Sequence, residues 1–100
     1  MSKNLKLLIV PFLAFSFIML QAQEKCEETS ENLKGEYRGE CKGGLAHGYG
    51  EAQGKDHYIG DFKKGYPHGN GIYTWSTGER YQGEWVRGLR DGEGTYYFFA

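Results

Sequence analysis

His47, His68 and Asp91 occupy the same place in three related stretches of this chain, and Cys26 and Cys41 are its two cysteines. A His/His/Asp set has the donor types of a zinc site. Cys41, six residues before His47, is the raw material of a thiol nucleophile. Three Gly-x-Gly pairs, Gly48/Gly50, Gly69/Gly71 and Gly92/Gly94, have the spacing of phosphate-cradling loops. Which of these chemistries is open depends on the elements that carry the residues.

Those elements are repeats. The stretches YRGECKGGLAHGYG, YIGDFKKGYPHGNG and YQGEWVRGLRDGEG begin at Tyr37, Tyr58 and Tyr81, spaced 21 and then 23 residues apart. A fixed period in the 20s means one supersecondary unit used repeatedly, each copy stacking on the next. Side chains alternate with period 2: Tyr58, Gly60 and Phe62 share one face, as do Tyr81, Gly83 and Trp85. Gly71, Tyr73 and Trp75 share a face after the central turn, as do Gly94, Tyr96 and Phe98. Each repeat therefore reads as two short strands joined by a glycine-bearing turn such as Lys64–Gly69, and the next follows through Ser76-Thr77-Gly78. The expected fold is all-β, an antiparallel meander of about six strands in three stacked hairpins.

That architecture removes most of the chemistry. Equivalent positions one repeat apart are two strand spacings apart, about 9.6 Å, and the outer two of three about 19 Å. One zinc ion, whose ligands sit at about 2.0–2.2 Å, cannot bridge them. His47, His68 and Asp91 are expected instead to hydrogen-bond their own turns. A phosphate loop needs a helix behind it, and no Gly-x-Gly pair here precedes one. No catalytic, metal or cofactor site is expected, and the chain reads as non-enzymatic.

The third-position glycines, Gly39, Gly60 and Gly83, lie on the aromatic face, where they let a ring from the adjacent strand cross the backbone. The expected core is a ladder of Tyr37, Gly39, Tyr58, Gly60, Phe62, Tyr73, Trp75, Tyr81, Gly83, Trp85, Tyr96 and Phe98. Each ring pair contributes about 0.5–1.5 kcal/mol beyond its area.

Ahead of the repeats the composition changes. A basic start (Lys3, Lys6), the uncharged apolar run Leu7–Leu20 and the small residue Ala22 match a secretory signal over residues 1–22. An uncleaved membrane anchor is the alternative. Residues 23–36 are acidic and polar and read as a linker, followed by repeats over 37–57, 58–80 and 81–100. Export would place Cys26 and Cys41 where a disulfide can form, closing a loop of about 15 residues. Two independent thiols are the other reading. Without Lys3 and Lys6 the basic residues number ten against 13 acidic ones, a net charge of about −3 with the signs interspersed. Nucleic acid would demand a basic stripe, which is absent, and an anionic membrane surface is weakly served.

These repeats resemble the MORN family (membrane occupation and recognition nexus), whose motif is close to YxGxWxxGxxHGxG. Phe62 stands for the motif's Trp and Asp91 for its His. The resemblance implies an elongated, twisted array of β-hairpins that serves as a scaffold, in dimerisation or protein contact, or at lipid head groups. The first copy departs from the motif: Cys41 replaces the aromatic, and Ala52 stands where the others have Tyr73 and Tyr96. If Cys41 lies on the aromatic face, Cys26 could cross that face and staple the linker to the open end.

Tyr49, Tyr66, Tyr97 and Phe99 fall outside the signature and are candidate binding-surface residues. The aromatic run Tyr96–Phe99 suggests an edge strand open to pairing. The chain thus reads as an exported module for protein contact or self-association. Alternatives are a peripheral lipid-binding module and, more remotely, an accessory segment of a truncated enzyme.

Overall fold

A computed structural model describes residues 26–98 of the chain. The expected signal segment (residues 1–22) and Phe99 lie outside the described residues. Six strands follow in order: β1 (Glu36–Lys42), β2 (Leu45–Gln53), β3 (His57–Lys63), β4 (Tyr66–Thr74), β5 (Arg80–Val86) and β6 (Leu89–Tyr97). They form a single antiparallel sheet in sequence order, the all-β meander that the repeats predict.

Two cross-strand rows run through all six strands. Glycines pair in succession as Gly39–Gly50–Gly60–Gly71–Gly83–Gly94. Two residues along each strand, and so on the same face, runs Tyr37–Ala52–Tyr58–Tyr73–Tyr81–Tyr96. A one-residue slip at any strand would put its ring on the wrong face, so the rows set the register.

The hairpins close through Gly43-Gly44, Lys64-Gly65 and Arg87-Gly88, all with positive φ; the Lys64 and Gly65 values are 51° and 88°. That is the two-residue type I′ turn, whose twist matches the strands it joins. The longer turn expected over Lys64–Gly69 is corrected accordingly, since Tyr66–Gly69 belong to β4. Pro67 has no N–H to place in the ladder, but its carbonyl accepts the Gly88 N–H at 2.9 Å.

The expected linker is, from Cys26 onward, a strap packed against the sheet. The Glu27 N–H donates to the Gly44 carbonyl (3.0 Å), and the Glu27 carbonyl accepts from the Ala46 N–H (2.9 Å). The Thr29 N–H donates to the Gly65 carbonyl at 2.9 Å, so two strap residues step past each hairpin turn. At Ser30 the chain enters a 3₁₀ turn, Glu31–Leu33. Leu33 drops fully buried (0% exposed) into the aromatic face, and the Asn32 carbonyl accepts the Asp56 N–H at 2.9 Å. Leu33 is the one apolar residue between Glu27 and Lys34, so periodicity had nothing to register.

The core cluster is Leu33, Ala46, Ala52, Tyr58, Phe62, Tyr73, Tyr81 and Trp85, with Tyr37, Trp75 and Tyr96 packed at its margin. The Leu33 backbone lies against Gly54, two residues beyond Ala52. The strap thus supplies apolar bulk near the point where the tyrosine row has a methyl group.

Candidate functional site

Each repeat's first tyrosine organises its surroundings. Tyr58 lies along its own strand over Gly60 and Gly71, and its hydroxyl donates to the Asp61 carbonyl at 2.8 Å. Tyr37 lies likewise over Gly39 and Gly50 and donates to the Glu40 carbonyl at 2.6 Å, while Tyr81 covers Gly83 and Gly94. For the third-position glycines Gly39, Gly60 and Gly83 the covering ring thus comes from their own strand, not from the neighbouring strand as expected, whereas Gly50, Gly71 and Gly94 are crossed by a ring from the neighbouring strand. A Cβ on Gly50, Gly71 or Gly94 would enter the space of the phenol.

Fifth-position rings then tie repeats together. Phe62 meets Tyr37 and Tyr58 edge-on at 5.3 and 5.0 Å, and Trp85 meets Tyr58 and Tyr81 at 5.7 and 5.4 Å. Each thus bridges the tyrosines of two repeats. The first repeat has no preceding tyrosine to bridge, and Cys41 stands there instead. Cys41 is exposed on β1 and Cys26 is buried at the strap's start; their Cα atoms are 5.9 Å apart, within the span a disulfide bridges.

Burial pushes the Tyr58 phenol well above its usual range, with the Asp61 charge adding to the shift. Burial does the same to Tyr73, helped by the hydrogen bond it donates to Asp56 Oδ2 at 2.7 Å. Asp56 also accepts the Ser76 N–H on Oδ1 at 2.8 Å, so this buried carboxylate braces the following repeat's turn. Tyr37 is raised as well, by burial and then by the charges of Glu40 and Glu28. Glu28 is itself buried under the strap, its Oε1 without a hydrogen-bond partner among the described residues.

A further role was missed in the sequence although its signal was present: the fourth position is acidic in every copy. Glu40 accepts the Tyr49 N–H (2.6 Å), Asp61 the Asn70 N–H (3.1 Å) and Glu84 the Glu93 N–H (3.1 Å). Beside each acceptor is a positive-φ glycine, Gly48, Gly69 or Gly92, whose missing side chain leaves room for the carboxylate. The Gly-x-Gly pairs thus hold an anion, but it belongs to their own hairpin. His47 Nδ1 accepts the Lys64 N–H at 3.3 Å, which corrects the expectation that it binds its own turn; it binds the next repeat's. Among the described residues no three His, Cys, Asp or Glu side chains could hold a metal.

Phe98, expected in the core, is 77% exposed and packs on Tyr96 at 4.5 Å, because no further repeat covers β6 among the described residues. The off-signature aromatics do not form one patch. Tyr49 and Tyr97 flank an open trough of 820 Å³ on the sheet's other face, floored by Ile59 and Ile72. Tyr66 lines a separate cleft with Lys63, Lys64 and Arg87. Sequence reasoning also missed Leu89 and Val86, which are exposed in the third hairpin. Every residue of β6 except Tyr96 is exposed.

A single sheet built from hairpins that repeat one tyrosine–glycine clasp defines a β-hairpin repeat protein. The MORN repeat family model matches residues 37–57, 58–80 and 81–99, and the chain belongs to that family. Repeats of this kind are generally non-catalytic modules for protein or membrane contact. Among curated proteins, Alsin of Homo sapiens is 38% identical over 65 residues, and Alsin of Rattus norvegicus 35%. The matched region is 58% of this chain but 4% of either relative's length.

Proposed function

We propose that the chain is an exported, non-enzymatic module that binds a protein partner through its third hairpin. The observation that carries this is the exposure of β6: nine residues at the edge of the sheet, with exposed Leu89 and Tyr97 at its ends and exposed Val86 and Phe98 beside them. An edge strand has unpaired N–H and C=O groups, and exposed apolar side chains along it gain from being covered. Export is supported by the signal-like residues 1–22 and by the juxtaposed cysteines. Chemical cross-linking in the native envelope or secreted fraction, beside light scattering on the purified chain, tests the reading. A Tyr97→Lys substitution should abolish the cross-linked species. A strict monomer with no cross-linked partner at any concentration would refute it. N-terminal sequencing tests export; a mature protein still beginning at Met1 would count against cleavage.

A membrane-docking reading draws on the basic cleft of Lys63, Lys64 and Arg87 beside Tyr66 and Val86. Liposome flotation on anionic vesicles discriminates, since that mode requires binding that falls steeply with salt.

A further inference from the structure

The strap shows on this molecule what the aromatic face accepts. It is an acidic segment that carries Glu27, Glu28 and Glu31 and, in the 3₁₀ turn that ends its run along the hairpins, one aliphatic anchor, Leu33. It runs past hairpin turns that carry Lys42, Lys64 and Arg87. Its backbone donates to the turn carbonyls of the first two hairpins, Gly44 and Gly65. At the third hairpin the ladder stops. The chain has already turned away at Ser30, whose hydroxyl merely approaches Gly88, and among the described residues nothing donates to the Gly88 carbonyl.

Where the strap leaves, a cleft of 320 Å³ opens between Ser30–Asn32 and the third hairpin, walled by Tyr73, Trp75 and Trp85. The Arg90 guanidinium stands at its margin, 5.4 Å from the Tyr96 ring centre, 5.6 Å from Trp75 and 5.8 Å from Tyr81. Register explains its place. Arg90 lies opposite Trp85 as Pro67 lies opposite Phe62 and Ala46 opposite Cys41. Those two counterparts are buried, and their carbonyls accept the N–H of the next repeat's turn glycine, Gly65 from Ala46 and Gly88 from Pro67. Arg90 is exposed. The acidic residue nearest the cleft, Glu31, is occupied by Lys34 at 3.3 Å.

We infer that this cleft is a peptide-docking site for an extended acidic segment of a partner protein. An aliphatic anchor of that segment enters between Tyr73, Trp75 and Trp85, and its carboxylates face Arg90. The segment repeats on the third hairpin what the strap does on the first two, its backbone reaching the Gly88 carbonyl. The inference rests on the protein-contact reading above and narrows it to one site and one ligand chemistry.

Both tryptophans of the chain, Trp75 and Trp85, wall the cleft, so intrinsic fluorescence reads it directly. The probe is a capped synthetic peptide reproducing Glu27–Leu33, titrated into the full chain. A saturable fluorescence change is expected, with Kd raised about tenfold by Arg90→Ala, equivalent to about 1.4 kcal/mol. Replacing the peptide's leucine by alanine should weaken it similarly, and added salt should weaken it further. Arg90 is exposed on the edge strand, so Arg90→Ala should still fold, as circular dichroism reads, and Arg90→Glu serves as a second variant. No saturable change overturns the inference. Equal affinity for the parent and both Arg90 variants also overturns it, because the peptide would then be replacing the strap in its own seat. A concentration-dependent fluorescence change of the chain alone, lost in Arg90→Ala, makes a second copy the occupant and overturns the partner assignment. Partners cross-linked equally well by the parent and Arg90→Ala would sink this inference while leaving the protein-contact reading intact.

Discussion

Leu33→Ala asks whether the strap is part of the fold or an appendage. Leu33 is fully buried in the aromatic cluster. The substitution removes three carbons, each contributing about 0.8 kcal/mol on burial, or roughly 2.4 kcal/mol before any cavity is counted. Leu→Ala replacements in closed cores run to about 2–5 kcal/mol, and the rigid tyrosine rings around this site limit collapse, so about 3 kcal/mol is expected. A domain of this size holds roughly 4–11 kcal/mol in total, so that loss is a large fraction of it. At about 4–8 °C per kcal/mol, the melting temperature should fall by more than 10 °C. The strap is held by its backbone bonds to Gly44 and Gly65 at one end and by β1 at the other, so it cannot depart and leave the rest unaffected. Urea and thermal unfolding followed by circular dichroism measure the loss. Limited trypsin digestion at Lys34, in the strap and partly exposed, reports whether the strap has loosened. A change below about 0.5 kcal/mol, the size of an ordinary surface substitution, together with unchanged cleavage at Lys34, would show that the strap is not packed as described.

Gly71→Ala places a methyl group where the Tyr58 phenol lies and should cost about 1–3 kcal/mol in urea denaturation; a loss below about 0.5 kcal/mol would contradict the tyrosine–glycine clasp. Asp56→Ala leaves the Tyr73 hydroxyl and the Ser76 N–H without their carboxylate and should lower stability by about 2–3 kcal/mol, read by urea denaturation. Tyr58 and Tyr73 have folded-state pKa values raised above the usual value of about 10. Their contribution to stability is therefore complete below that usual value and is lost as pH rises through the raised ones. Tyrosinate absorbance should show a late-titrating cohort that ionises together with unfolding, and a single titration of all eight tyrosines in a folded protein would disprove it.

The six-strand meander and most of its core were legible because they rest on local facts. A side-chain period of 2 and glycines at fixed offsets specify strands and hairpins whatever lies elsewhere in the chain. The same spacing separated His47, His68 and Asp91 too widely for one metal ion. Hydrogen-bond partners were less legible. The acidic fourth position recurs as Glu40, Asp61 and Glu84, yet its partner is a backbone N–H across the hairpin, which no side-chain pattern displays. The source of the ring over Gly39, Gly60 and Gly83 depended on a rotamer, so the sequence could not distinguish their own strand from its neighbour.

What the sequence by itself determined was the repeat: its family, its strands, its register and the absence of helix behind the Gly-x-Gly pairs. Only the tertiary structure decided where the acidic segment goes and which aromatics stay uncovered. Leu33 is one apolar residue in a polar stretch, and its burial follows from the shape of a face made by residues as distant in sequence as Trp85. Phe98 obeys the same alternation as Tyr73 and Trp75 and is nevertheless exposed, because burial requires a neighbour and β6 is the edge of the sheet among the described residues. Periodicity assigns a residue to a face; what covers that face is a non-local matter.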